Sequence, residues 1–380
     1  MTSVADQAVE LTRELVALDT VNPALVPGAP GERPAVELLA TRLEPRGFEI
    51  EIVGPPDRPS LIATHRSRGG QSLALNGHLD TVGVEGMDDP FNPRIEGDRM
   101  YGRGTCDMKA GVAAMVVAAE HAAGNGHDGD IVLALVADEE HGSLGTAAVL
   151  EHLNRRLPDA CIVGEPTWLD VIVAHRGFSA LEVELRGRAA HSSRPDEGIN
   201  AVTLLGRLLT AVEARDHELQ STNPHPHAGH GSLLATVVRG GSAPFTLAAR
   251  ATAIIERRTI PGEPLDSGLK DVQAIIERLA LDADVKELVA RDAWELSDAA
   301  QPLVELLPFT GRAGAPYWME SAMWEQAGVP TVVCGPAGGG LHTDVEWVEL
   351  DQLRAYTDAL ASLIPAFGRP RGESESRPQR

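Results

Sequence analysis

Leu73-Ala74-Leu75-Asn76-Gly77-His78-Leu79-Asp80, followed downstream by Gly104-Thr105-Cys106-Asp107-Met108-Lys109, is the stretch around which the chain is organised. Residues 73–76 read as a short buried strand, so His78 and Asp80 fall on the loop just past its C-terminal end. In an open α/β sheet that is the crevice where ligands bind. The i, i+2 spacing predicts that the Asp80 carboxylate reaches back to the far ring nitrogen of His78, the support a metal-bound histidine usually has. Asp107 directly precedes an Ala/Val-rich helix expected over 108–123. By position alone it is an N-cap; in its wider company it reads as a metal ligand that also starts the helix.

Working outward, Ile131–Val136 is a continuous apolar run, the pattern of a strand covered on both faces. It ends in Asp138-Glu139-Glu140-His141-Gly142. Residues 161–164 do the same and deliver Glu165. Three strand ends therefore present acids or a histidine to what reads as one crevice. Farther on, Gly335-Pro336-Ala337-Gly338-Gly339-Gly340-Leu341-His342-Thr343 is glycine-rich. No G-K-[ST] follows, which argues against a phosphate loop. The run reads as a close-approach loop that brings His342 to the crevice.

The flanks supply the frame. Helices are expected over 8–19 and 32–46, an edge strand over 48–53 and a strand over 60–64. At 180–186 the strand style changes to apolar–charged alternation, so one face is wet. That places a boundary near Gly177. A helix (199–218), strands (233–238 and 247–258), a helix (265–281) and a strand (284–290) complete a β-α-β-β-α-β order, the ferredoxin-like pattern. The buried style returns at 330–334, and 351–367 is a closing helix. The expected organisation is α/β: a first domain over 1–176 and 292–368, interrupted by a second over 177–291. Residues 369–380 are polar and expected to be disordered.

Composition bounds the function. The chain has 380 residues, 43% of them hydrophobic, with no run approaching a membrane span. Its N-terminus lacks the order of a secretion signal. Cys106, Cys161 and Cys334 form no framework and fit a reducing cytoplasm. A formal net charge of −22 argues against nucleic acid or anionic membrane as partner. It leaves an anionic substrate open, since surface charge is screened over about 8 Å at physiological salt.

His78-Leu79-Asp80, Asp107-Met108-Lys109, Glu139-Glu140, Gly164-Glu165-Pro166 and His342 together resemble, in order, the signature of a dizinc metallopeptidase family. Its members include acetylornithine deacetylase, succinyl-diaminopimelate desuccinylase, aminoacylase and glutamate carboxypeptidase. The resemblance implies a zinc-peptidase catalytic domain with a mixed, largely parallel sheet, interrupted by a ferredoxin-like lid and dimerisation domain. It implies that Asp107 bridges two divalent ions, with His78 and Glu165 on one and Glu140 and His342 on the other. Glu139 would be the general base, with Asp80 in support. His191 would reach the substrate carbonyl, often from the partner of a homodimer. In Glu256-Arg257-Arg258-Thr259-Ile260-Pro261-Gly262, Arg258 would clamp a substrate carboxylate. Histidine and carboxylate ligands without thiolate suit zinc, with cobalt or manganese as alternatives.

The implied activity is removal of an N-acyl group from an amino acid. A carboxypeptidase or dipeptidase of the same family is the near alternative, and a non-catalytic small-molecule binding protein on the same fold the remote one. Leu233-Leu234 stands where the family often has an asparagine, and Met319-Glu320 where it often has T-D, so the substrate stays open. His225, His227 and His230 lie in a Pro/Gly loop and read as structural. Cys106 has no activating base and reads as inert.

Overall fold

Ile131–Val136 is buried along its whole length, as its apolar run requires. In the computed structural model, which describes residues 3–67 and 69–369, it pairs in parallel with Leu73–His78, which pairs in parallel with Ala160–Val163. Thr331–Val333 adds to the far side of Ala160–Val163, again in parallel. Antiparallel strands flank this centre: Ser60–His65 beside Ile131–Val136, and Glu49–Val53 at the edge. On the other side, Val171–His175 meets Thr331–Val333. The expected mixed, largely parallel sheet is thus present.

The chain divides into two compact units. The first comprises Met1–Ile172, Leu296–Arg312 and Met323–Arg380; the second comprises Val173–Glu295 and Ala313–Ala322. That Ala313–Ala322 joins the second unit is not anticipated by a single insertion at 177–291. The tail expected to be disordered lies, from residue 370 on, outside the described residues.

In the first unit the Ala110–Asn125 helix is apolar on nearly all sides, so it must be buried all round. It packs against Val4–Val16 and Leu350–Gly368. Small residues let it approach the sheet closely. A Cβ on Gly111 would lie 2.2 Å from the Gly164 carbonyl, so a larger residue there would displace the strand end that carries Glu165. Four short strands, Arg94–Glu96, Arg99–Tyr101, Gly338–Gly339 and Trp347–Glu349, form a small separate sheet. Close approach is what its glycines provide: a Cβ on Gly339 would lie 2.4 Å from the Trp347 ring.

In the second unit, Ser232–Gly240, Arg250–Thr259, Gly177–Arg186 and Ala283–Arg291 lie in that order, all antiparallel. This is the expected β-α-β-β-α-β arrangement. Leu181, Val183, Leu185 and Ile255 on one face pack with Leu208 and Val212 of the Ala201–Gln220 helix and Val272 and Ile275 of the Ser267–Leu279 helix. Burying each such leucine or isoleucine contributes about 1.5–3 kcal/mol. No helix among the described residues is long and apolar enough to cross a membrane.

Candidate metal centre

Parallel register explains how distant residues meet. His78 is paired with Val136, and Asn76 with Val163, so the loops carrying Glu139, Glu140 and Glu165 leave the sheet beside His78. Asp107 comes from the irregular turn Thr105–Lys109, and His342 from the loop after Gly338–Gly339. All these side chains belong to the first unit.

The Asp107 carboxylate stands between two imidazoles. Its Oδ1 lies 3.0 Å from His78 Nε2 and its Oδ2 lies 3.3 Å from His342 Nε2. His342 Nε2 is also 3.1 Å from Glu140 Oε2, and His78 Nε2 is 3.9 Å from Glu165 Oε1. Two overlapping groups have ligand atoms all within 4.8 Å of one another: His78, Glu139 and Glu165, and His78, Asp107 and Glu140. His78 is fully buried, whereas the His342 side chain is 52% exposed and its backbone is left-handed at φ 57°.

Two details differ from the sequence-based expectation. Asp107 does not cap the helix: its backbone is extended (φ −116°, ψ 98°) and regular helix begins only at Ala110. And His78 Nδ1 donates to the main-chain carbonyl of Asp80, at 3.0 Å, while the Asp80 carboxylate is 3.7 Å away. That carboxylate instead accepts from the main-chain N–H of Glu139 (3.1 Å) and Glu140 (3.2 Å) and from Asn22 Nδ2 (2.8 Å). Asp80 therefore orients the Glu139-Glu140 turn through its side chain and His78 through its backbone.

Acid exceeds base in the cluster. Burial disfavours a charged His78, but the Asp107 hydrogen bond and the charges of Glu165, Asp107 and Glu139 outweigh it and raise its pKa well above the ordinary value. Hydrogen bonds to Asp107 and Glu140 raise His342 to about 10. Burial opposes ionisation of Asp107, yet its bonds to the two imidazoles hold it below the usual carboxylate range. The cluster thus draws positive charge onto both nitrogens. Divalent cations compete with protons for such lone pairs, and oxygen and imidazole donors suit them. The donor set fits a metal centre.

Several supporting residues were not legible in the sequence. Asn22 Nδ2 also donates to Asp138 Oδ1 (3.1 Å), and buried Arg58 pairs with Glu32 (2.6 Å) and Asp138 (2.9 Å). Glu346 and Arg103 form another buried pair, at 2.7 Å. Glu32, Arg58, Arg103 and Glu346 sit in no periodic or motif context that sets them apart from solvated charges.

The remaining expected site residues, His191 and Arg258, belong to the second unit. His191 is exposed, its Nδ1 2.8 Å from Ser193 Oγ. Arg257 is buried and paired with Glu263 (2.6 Å) and Asp271 (3.0 Å), so it is structural. Arg258 is half-buried, lies over the Phe178 ring at 5.2 Å and donates to Glu256, two residues before it on the same strand. His225 serves its own loop, its Nδ1 accepting from Ala228 N at 3.0 Å. Burial pushes the Cys106 thiol up, which keeps it inert.

Comparison with known proteins gives a concordant result. A family model described as peptidase family M20/M25/M40 matches residues 74–366. The acetylornithine deacetylase of Photorhabdus laumondii is 32% identical over 379 residues, covering 94% of this chain and 97% of that protein. The succinyl-diaminopimelate desuccinylase of Sphingopyxis alaskensis is 36% identical over 221 residues, which is 54% of this chain and 56% of that protein. Among solved structures, the Bacillus subtilis YXEP protein, described as a dinuclear metal binding peptidase, superposes with a TM-score of 0.69 at 15% identity, covering 95% of this chain and 98% of that one.

Proposed function

The chain belongs to peptidase family M20/M25/M40, and on that premise we propose that it is a two-metal amidohydrolase that removes the N-acyl group from an amino acid. The observation that carries this reading is the Asp107 carboxylate, with one oxygen facing His78 and the other facing His342. In the proposal His78 and Glu165 complete one ion site, and Glu140 with His342 the other. Zinc is the expected metal, with cobalt or manganese as substitutes. Two divalent ions bound there would polarise the scissile carbonyl and acidify a water.

The rest falls to the chain's own groups. Glu139, its backbone held by Asp80, takes a proton from the attacking water as the water oxygen bonds to the acyl carbon. It delivers that proton to the amide nitrogen as the C–N bond breaks, leaving a free amine and a carboxylic acid. His191 donates to the carbonyl oxygen, and Arg258 binds the α-carboxylate bidentately, sharing its guanidinium with Glu256. The second unit serves as lid and dimerisation domain. In support, Ser232–Gly240 is an edge strand with Leu234 51% and Val238 52% exposed, an apolar edge that a homodimer would cover. Three buried, unbridged cysteines support a cytoplasmic location.

The deciding experiment is hydrolysis by the zinc-loaded protein of N-acetyl and N-succinyl amino acids beside dipeptides. Faster turnover of an N-acyl amino acid is expected. Turnover of dipeptides alone would make the chain a peptidase, and turnover of neither class would remove the amidohydrolase reading.

A further inference from the structure

Asp107 is asked to hold a demanding pose without help from secondary structure. It precedes the first regular helical residue, and neither of its oxygens is fixed by a cap or a ladder. Its main-chain N–H donates to Glu346 Oε1 at 3.0 Å. The same oxygen accepts from Cys106 N at 2.8 Å, while Oε2 accepts from Gly104 N at 2.9 Å and Arg103 Nη1 at 2.7 Å. Four donors, three of them main-chain groups of the turn that bears Asp107, therefore converge on one carboxylate that is 1% exposed.

Arg103 extends the connection. Its Nη2 donates to the carbonyl of Thr343, the residue after His342, and its Nε to the carbonyl of Gly83, three residues after Asp80, both at 3.0 Å. The Arg103–Glu346 pair thus ties together the loops that carry Asp107, His342 and Asp80. A buried ion pair is weak evidence for stability, because desolvation cancels much of its attraction. Its geometry here points to conformational control. The outer loop needs this most, since His342 is half-exposed on a left-handed bend.

We propose that Glu346 is a positioning residue for the metal centre: by holding the main chain of the Asp107 turn and, through Arg103, the His342 loop, it makes the Asp107 carboxylate able to serve a second ion. The inference rests on the reading that Asp107 bridges two ions. It assigns Glu346 no contact with substrate or metal. In Glu346→Gln the new amide group would meet donors where an acceptor stood, and a buried donor left unmatched disorders its surroundings.

Cobalt(II) titration of the metal-free protein tests this, followed by calorimetry and by visible absorption, with circular dichroism and Tm as controls. Wild type should bind two ions. Glu346→Gln should keep the first near wild-type affinity and bind the second about 10–100-fold more weakly, the range for supporting residues of metal sites, with altered absorption for the two-cobalt form. Glu346→Asp, which keeps the charge, should recover part of the second affinity. If wild type takes up a single cobalt, the two-metal reading fails and takes this inference with it. Two ions in wild type with the same affinities and spectra in Glu346→Gln overturn the positioning role alone. So does a variant whose Tm falls while the second affinity does not. If neither Glu346→Gln nor Glu346→Asp folds, the residue is a determinant of the fold and the positioning role is likewise overturned.

Discussion

His78 in the first unit and His175 in the second are both fully buried, yet their basicities move in opposite directions. His175 stacks on Trp294 and lies 2.8 Å from Ser321 Oγ. Burial dominates there and lowers its pKa to about 4. Around His78 the same burial is overridden by Asp107, Glu165 and Glu139. Environment, and not depth, decides the charge of a buried imidazole. The first unit concentrates acid that only cations can balance. The second meets its buried guanidinium with its own acids, Arg257 against Glu263 and Asp271, while Arg176 is lowered by burial and by the neighbouring charge of Arg258.

The largest expected effect comes from removing the acid that the two imidazoles share. Asp107→Ala should lose both metal ions by elemental analysis, and activity should fall to background. One tightly held ion in that variant would mean that the excess acid does not act as a single unit. Next is Glu139→Gln, which leaves the ligand charges proposed for the metals in place. It should retain two ions while turnover drops by about 10²–10⁴-fold. Mixed with inactive His191→Ala chains it should regain part of the rate in heterodimers. Near-normal activity of Glu139→Gln alone would assign the proton transfer to another group.

The second unit's side of the comparison is sharpened by Arg258. In wild type, replacing the substrate's α-carboxylate by an amide should lower kcat/KM, by less than the about 2–5 kcal/mol of an unpaired buried charge because Glu256 already faces the half-buried guanidinium. In Arg258→Ala the gap should close, and Arg258→Lys should be a poor substitute because a point charge lacks the fork. Equal kcat/KM for acid and amide in wild type would remove the clamp.

The smallest effect is on stability. Because the folded pKa of His175 lies below its unfolded value, the native state resists a proton that the unfolded chain accepts. Its contribution is complete above about pH 6.5 and is lost as pH falls from there toward 4. Urea unfolding at pH 7 and pH 5 should show wild type losing about 2 kcal/mol more than His175→Phe. Equal losses in the two proteins would show that this imidazole is not held neutral.

Much of the frame was legible because it is local. Ile131–Val136 advertises its burial in consecutive apolar residues, and the alternation of Gly177–Arg186 advertises a half-wet sheet. Glu139, Glu140 and Glu165 follow strands of the first kind and His78, expected on the loop beyond its strand, is that strand's last residue, so their meeting could be anticipated without coordinates. Asp107, expected as a ligand that also starts the helix, does not start it: its position before a helix is shared by ordinary caps, whereas its backbone is extended and its N–H donates to Glu346, far along the chain. Asp80 was expected to hold His78 by its carboxylate. Its carbonyl does so, because the carboxylate is taken by the main chain of Glu139 and Glu140.

By itself, then, the sequence determined which residues lie at strand ends, where the strand style changes and which acids and histidines stand at those ends, since hydrophobic periodicity and residue type are properties of short segments. Only the tertiary structure decided which partner each of those side chains faces. That His342 and His78 take opposite oxygens of Asp107, that Arg257 is buried while Arg258 is not, and that Arg103 and Glu346 bind three loops together all depend on contacts between segments distant in sequence. Such contacts form because a buried charge must find its partner wherever the packed backbone brings one, and no local pattern records that search.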